Sequence, residues 1–193
     1  MYDPVLVTAP TEKPVSVADA KTHLRVTVSD EDSYIQSLID AAVAHLDGWT
    51  GQLGQAICTQ TWRDDHDDFA SEMRIALYPV QSISFVKYID TNGDEQTVSS
   101  GEYDLVKKNG FYFVVFKSDY SFPSLNVTDR PSVKIQYVAG YQAIPAAICH
   151  AIKLMIGAWY ENREETIIGV PAARLPDSVA INALLAPYRR IGV

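Results

Sequence analysis

Apolar and polar positions along this chain change rhythm three times, and each change marks a boundary between kinds of structure. Residues 1–15 carry Pro4, Pro10 and Pro14 and read as an extended lead-in, because proline removes a helical donor. Ser16 can then cap a short helix, Val17–Leu24, with Asp19 near the positive end of its dipole. Ser29 or Asp30 opens a longer helix, with Glu31 and Asp32 in its first turn. Ile35, Leu38, Ile39, Ala42, Leu46 and Trp49 fall on one continuous helical stripe, and Gly51 is the expected stop. After Gly54 the residues become β-branched and aromatic in short runs split by turns.

Asn92-Gly93 and Asn109-Gly110 each sit between strand-like runs, where a type I′ turn needs two positive φ values. They predict hairpins joining Phe85–Asp90 to Gln96–Val98 and Tyr103–Val106 to Phe111–Phe116. A last strand, Val133–Val138, ends at Gly140. Helical period returns at Pro145 with Ile148, Ile152, Met155 and Trp159 on one face. Ile144, Ala147, Ala151, Leu154 and Ala158 widen that face, so the helix must be covered on more than one side, by a central position or by a neighbouring subunit. A loop from Gly169 to Pro176 leads to a final helix capped by Asp177 or Ser178, with Ile181, Leu184, Leu185 and Tyr188 forming its face. The predicted class is α+β: a small helical bundle, two helices from each end, with an inserted antiparallel β region. Within one domain, 1–193, the parts are residues 16–51, 57–140 and 144–193.

Composition narrows what such a fold can do. The chain has 193 residues with 16 Lys+Arg against 24 Asp+Glu, a net charge of −8. That balance argues against gripping nucleic acid by its phosphates, which needs a basic patch. The acidity is uneven: residues 1–56 hold 3 basic and 8 acidic side chains (−5), 57–140 hold 8 and 12 (−4), and 141–193 hold 5 and 4 (+1). Ile144–Tyr160 is interrupted by His150 and Lys153 and falls short of the about 20 nearly uncharged residues of a membrane span, so no membrane is expected. No secretion signal precedes Pro14, and Cys58 and Cys149 are expected as reduced thiols.

Candidate chemistry is sparse. Phosphate-loop, dinucleotide, zinc-protease and nucleophile-elbow patterns are missing, and two cysteines cannot build a zinc site. Asp64-Asp65-His66-Asp67-Asp68 is the exception, since Asp64, His66 and Asp68 would share one face of a strand and could hold a divalent cation. The run lacks the glycine and terminal glutamate of a calcium loop, and a solvated strand end or turn is the simpler account. His23, His45 and His150 read as packing histidines, and Glu161, Glu164 and Glu165 as a salt-bridged helix end. No catalytic residue, metal or cofactor is predicted.

With these residues in place, the chain resembles the head–tail connector (adaptor, or head-completion) proteins of tailed double-stranded DNA phages and gene transfer agents. Three segments carry the likeness: residues 14–25 with 30–39, Thr59–Trp62 with Tyr78–Ile83, and Ile144-Pro145 leading to Ala158–Glu164 and Leu184–Arg189. The resemblance implies a structural protein at the head–tail junction of a virion, assembled in the bacterial host cytoplasm. It implies a ring of about twelve copies under the portal, extending the DNA channel and meeting a stopper or tail-completion protein. It also implies portal docking by the C-terminal segment, which here means Leu184, Leu185, Tyr188, Arg189 and Arg190. Ile148, Ile152, Met155 and Trp159 are the expected subunit interface. A net −8 per chain would give the channel a negative wall past which DNA slides without sequence-specific binding. The alternatives are a non-ring binding module for other tail or virion proteins, or a metal-dependent enzyme using Asp64, His66 and Asp68.

Overall fold

The computed structural model describes residues 2–126, 128, 130–163 and 178–190. The chain divides into two compact units, one of residues 1–11 and 58–142, the other of residues 12–57 and 143–193. The first is all β and the second all α among the described residues.

The helical unit is built from α1 (Val17–Leu24), α2 (Asp32–Leu46), α3 (Ala146–Glu161) and α4 (Val179–Leu185), the last running into a 3₁₀ turn, Ala186–Tyr188. Ser16 caps α1 as expected: its Oγ accepts from the Asp19 N–H at 3.1 Å and donates to the Asp19 carboxylate at 2.7 Å. α1 ends at Arg25, whose φ of 60° reverses the chain. Ile35, Ile39, Ala42 and Leu46 are fully buried, so the predicted stripe of α2 is its inner face. α3 packs against α1, α2 and α4, which makes it the central element of the unit and explains its apolar circumference. Ser178 caps α4, its Oγ accepting from the Ile181 N–H at 3.1 Å. The loop 169–176 and the alternative cap Asp177 lie outside the described residues.

α2 stops sooner than its stripe suggested. Asp47 is already extended and Gly48 has a φ of 81°. The Asp47 carboxylate leaves the helix to accept the Ile57 N–H at 2.6 Å, and Gly48 N–H donates to the Gln55 carbonyl at 2.8 Å. Trp49 therefore lies beyond the helix rather than on its face. Gly51 is not the stop either. It marks a close approach, because a Cβ there would sit 2.2 Å from the Asp47 carbonyl oxygen.

The β unit holds two antiparallel sheets. Five strands run in the order β1 (Val5–Thr8), β2 (Gln60–His66), β8 (Val133–Ala139), β4 (Val80–Ile89) and β5 (Glu95–Thr97). Three more run as β3 (Glu72–Arg74), β7 (Phe111–Phe116) and β6 (Tyr103–Lys108). Both predicted hairpins form, β4 with β5 and β6 with β7. Asn109 and Gly110 take φ values of 51° and 85°, the two positive angles the turn requires, whereas at the first hairpin Gly93 alone is positive, at 89°, so the expected type I′ turn forms only at the second. β8 buries Val133, Ile135, Tyr137 and Ala139, every second residue, against the core of the unit. Gly140 has a φ of 126°, and a Cβ there would meet the Cys58 carbonyl at 2.3 Å, so only glycine lets the chain pass. The lead-in is more than extended: β1 pairs with β2 through a bulge at Val7, and all four of its residues stay exposed at the sheet edge.

Candidate functional site

The acidic run on β2 is split by the strand's pleat. Asp64 shares a face with Trp62 and is completely buried, its Oδ2 accepting the Ala76 N–H at 2.8 Å and its Oδ1 the Tyr137 hydroxyl at 2.9 Å. Tyr137 in turn accepts the Leu77 N–H at 3.2 Å. Asp64 thus ties the connection after β3 to the central strand of the other sheet. The opposite face carries Asp65, gripped in fork geometry by Arg63 with Nε and Nη2 at 2.8 and 2.9 Å from its two oxygens. That pairing raises the Arg63 pKa.

The expectation of a solvated strand end therefore fails at Asp64 and Asp65, which are 0% and 6% exposed, and holds only around Asp68. The run does not assemble a cation site: among the described residues no group of three acidic, His or Cys side chains is placed to hold a metal. His66 lies half-buried, and its Nε2 has no hydrogen-bond partner. Burial is the main reason its pKa falls to about 4, against the opposing pull of Asp65 and Asp67. An imidazole held neutral in this way suits a packing role.

The other histidines are not packed in a core as expected. His23, His45 and His150 are all exposed, and the rings of His23 and His150 meet edge to face at 6.3 Å between α1 and α3. Burial, then His150 and Lys153, lower the His23 pKa. Glu161 is exposed, while Glu164 and Glu165 lie outside the described residues. The ionic partner at the end of α3 comes instead from the start of α2: Glu31 accepts from the Tyr160 hydroxyl and from Arg163 Nη2, the latter at 3.0 Å. Arg163 also lies 4.6 Å over the Tyr34 ring. Both hydrogen bonds hold the Glu31 carboxyl below its ordinary pKa. Spacing could not reveal this cluster, whose members are about 130 residues apart in sequence.

The C-terminal residues singled out in the sequence form a clasp on the loop that follows α2. Leu185 is fully buried, and Leu184, Tyr188, Arg189 and Arg190 are half-buried. Gln55 Nε2 donates to the Tyr188 carbonyl at 2.5 Å, and the Arg190 N–H to the Leu53 carbonyl at 2.9 Å. The Arg190 guanidinium stands 4.2 Å over the Trp49 ring, inside cation–π range. Gly54 leaves the room this needs, since a Cβ there would come within 3.0 Å of the Arg190 side chain. Arg189 Nη2 donates to the Asn182 side-chain carbonyl. Trp49, Gly54 and Gln55 are the residues that sequence patterning missed. On α3, Ile148, Ile152 and Met155 are buried within this chain's own helical unit, while Trp159 keeps part of its surface open.

A helical unit with a β region inserted between its second and third helices has full-length counterparts among solved structures. The chain aligns over 100% of its length with 97% of a chain in the neck of an empty gene transfer agent particle computed with C6 symmetry, at 21% identity and a TM-score of 0.75. A chain of the native gene transfer agent virion matches with the same values. One in the native neck computed with C12 symmetry matches at 20% identity and a TM-score of 0.69. Residues 14–104 match the family described as phage gp6-like head-tail connector protein. Over that stretch, just under half of its length, this chain carries the pattern of the head–tail connector family. No curated protein sequence matches it.

Proposed function

We propose that the chain is a structural head–tail connector of a tailed phage or phage-like particle, with no catalytic role. The observation that carries this is a single fold likeness spanning the whole chain, with the connector family match lying inside it. About twelve copies form a ring under the portal and extend the DNA channel towards a stopper or tail-completion protein. The ring is built in the host cytoplasm and ends at the head–tail junction of the virion.

The C-terminal clasp is the end that meets the portal. Leu184, Tyr188, Arg189 and Arg190 offer surface to it, and the buried Leu185 anchors the helix that presents them. On α3, Trp159 is the residue of its face with area left for a neighbouring copy, while Ile148, Ile152 and Met155 hold the helix that carries it. With −8 per chain, the channel wall repels the DNA backbone and lets it pass.

Native mass by light scattering on a sizing column, for the chain alone and mixed with the portal protein of the same genome, tests this reading. A ring-sized mass or a joint complex is expected. A monomer indifferent to the portal would refute it and leave a non-ring binding module for other virion proteins.

A further inference from the structure

The clasp holds two neighbouring guanidinium groups without the carboxylate partner that three other arginines of this chain have. Arg63, Arg130 and Arg163 each face a carboxylate, Asp65, Asp67 and Glu31 respectively. Arg189 and Arg190 pair with none among the described residues. Among the described residues the Arg189 guanidinium makes one hydrogen bond, to the neutral Asn182 amide, and its buried Nε has no acceptor. A buried donor left unmade is costly, so the free chain carries a standing incentive to find an acceptor here. Arg190 spends the face of its guanidinium on Trp49, and stacking of that kind leaves the in-plane N–H edges free to donate.

Both side chains are also fixed in advance. The backbone that carries them is pinned by the bonds from Gln55 to Tyr188 and from Arg190 to Leu53, and Gly54 makes space for the Arg190 stem. An arginine ordered before it meets its partner loses less entropy on binding, and a planar fork matches a carboxylate through two parallel bonds.

We propose that this clasp is a receptor for a carboxylate-bearing segment of the partner it docks on, with Arg189 and Arg190 as the two forks and Trp49 as the platform that aims the second. The inference rests on the docking reading above and adds the chemistry of the partner. Charge complementarity argues for it, since the chain as a whole is at −8 and residues 141–193 alone carry a positive balance.

The test uses the full chain and the purified portal protein of the same genome, with the dissociation constant measured from 50 to 500 mM NaCl. Wild type should weaken as salt rises. R189E/R190E should weaken binding at least about tenfold and flatten the salt dependence, and R189Q/R190Q should do so more mildly. W49A should weaken binding several-fold and W49F should restore much of it, whereas W49L, which keeps apolar bulk without a ring face, should not, a contrast that loss of packing at the clasp would not produce. Thermal melts identify any variant that has unfolded, and the glutamine pair stands in if the charge reversal does not fold. Undiminished portal binding by a folded R189E/R190E chain overturns this inference and leaves the connector reading intact. So does loss of binding to a double-stranded DNA fragment with portal affinity kept, which would make the forks a phosphate contact. A wild-type chain that ignores the portal overturns both.

Discussion

At the scale of single residues, Asp64 behaves as an internal strut. Its two oxygens receive an N–H and a hydroxyl from different parts of the β unit, and it has no exposed surface. Asp64→Ala should strand both donors and lower stability by about 2–4 kcal/mol in urea unfolding, and Asp64→Asn should recover part of the loss. His66 makes a second case, with a definite sign. Its folded pKa of about 4 lies below its ordinary 6.5, so the unfolded chain binds the proton first as pH drops. Its contribution is fully present above about pH 6.5, declines between 6.5 and 4, and changes little below that. Allowing for partial exposure, the decline is about 1–2 kcal/mol. Urea midpoints at pH 7 and pH 4.5 should converge in His66→Gln relative to wild type. An unchanged difference would remove His66 as the cause.

Among elements, the end of α2 shows where local pattern yields to tertiary demand. Gly51→Ala would drive a methyl to 2.2 Å from the Asp47 carbonyl and 2.5 Å from the Leu46 backbone, both rigid. A loss of about 2–4 kcal/mol is expected, visible as a lower thermal midpoint. Most local helix signals were legible, although α2 starts from Glu31 without the side-chain cap expected of Ser29 or Asp30. Ser16 and Ser178 both cap where the sequence placed them, the α2 stripe faces inward, and both Asn-Gly pairs turn hairpins. What escaped depended on partners distant in the chain. Trp49 continued the helical period, yet Asp47 had a better use for its carboxylate 10 residues on, at the Ile57 N–H. β1 lacked alternation because both of its faces are exposed, and period-2 patterning arises only where one face is buried. In the candidate site, the C-terminal residues could be named by position. Their setting on Trp49, Gly54 and Gln55 could not, because contacts across 133 residues leave no periodic trace.

For the whole molecule, the net charge bears on assembly as well as on the proposed channel. In the proposed ring of about twelve, copies at −8 would bring together on the order of −100 charges, whose mutual repulsion must be screened or neutralised. The ring-sized mass expected above should therefore be favoured by added salt when the chain is alone, whereas docking through the clasp should be weakened by it. Opposite responses to one variable separate contact between copies from contact with the portal.

The exposed β1 strand adds a limit on how copies can be joined. The five-stranded sheet is a tile with unlike sides: β1 offers bare Val5, Leu6 and Val7, and β5 offers Glu95, Gln96 and Thr97. Strands join through backbone N–H and C=O groups whatever their side chains, so both free edges are templates for another chain, and bare apolar residues make the β1 edge the stickier one. In a ring of the proposed kind, the seams between copies have to keep that edge covered or out of reach of its neighbours.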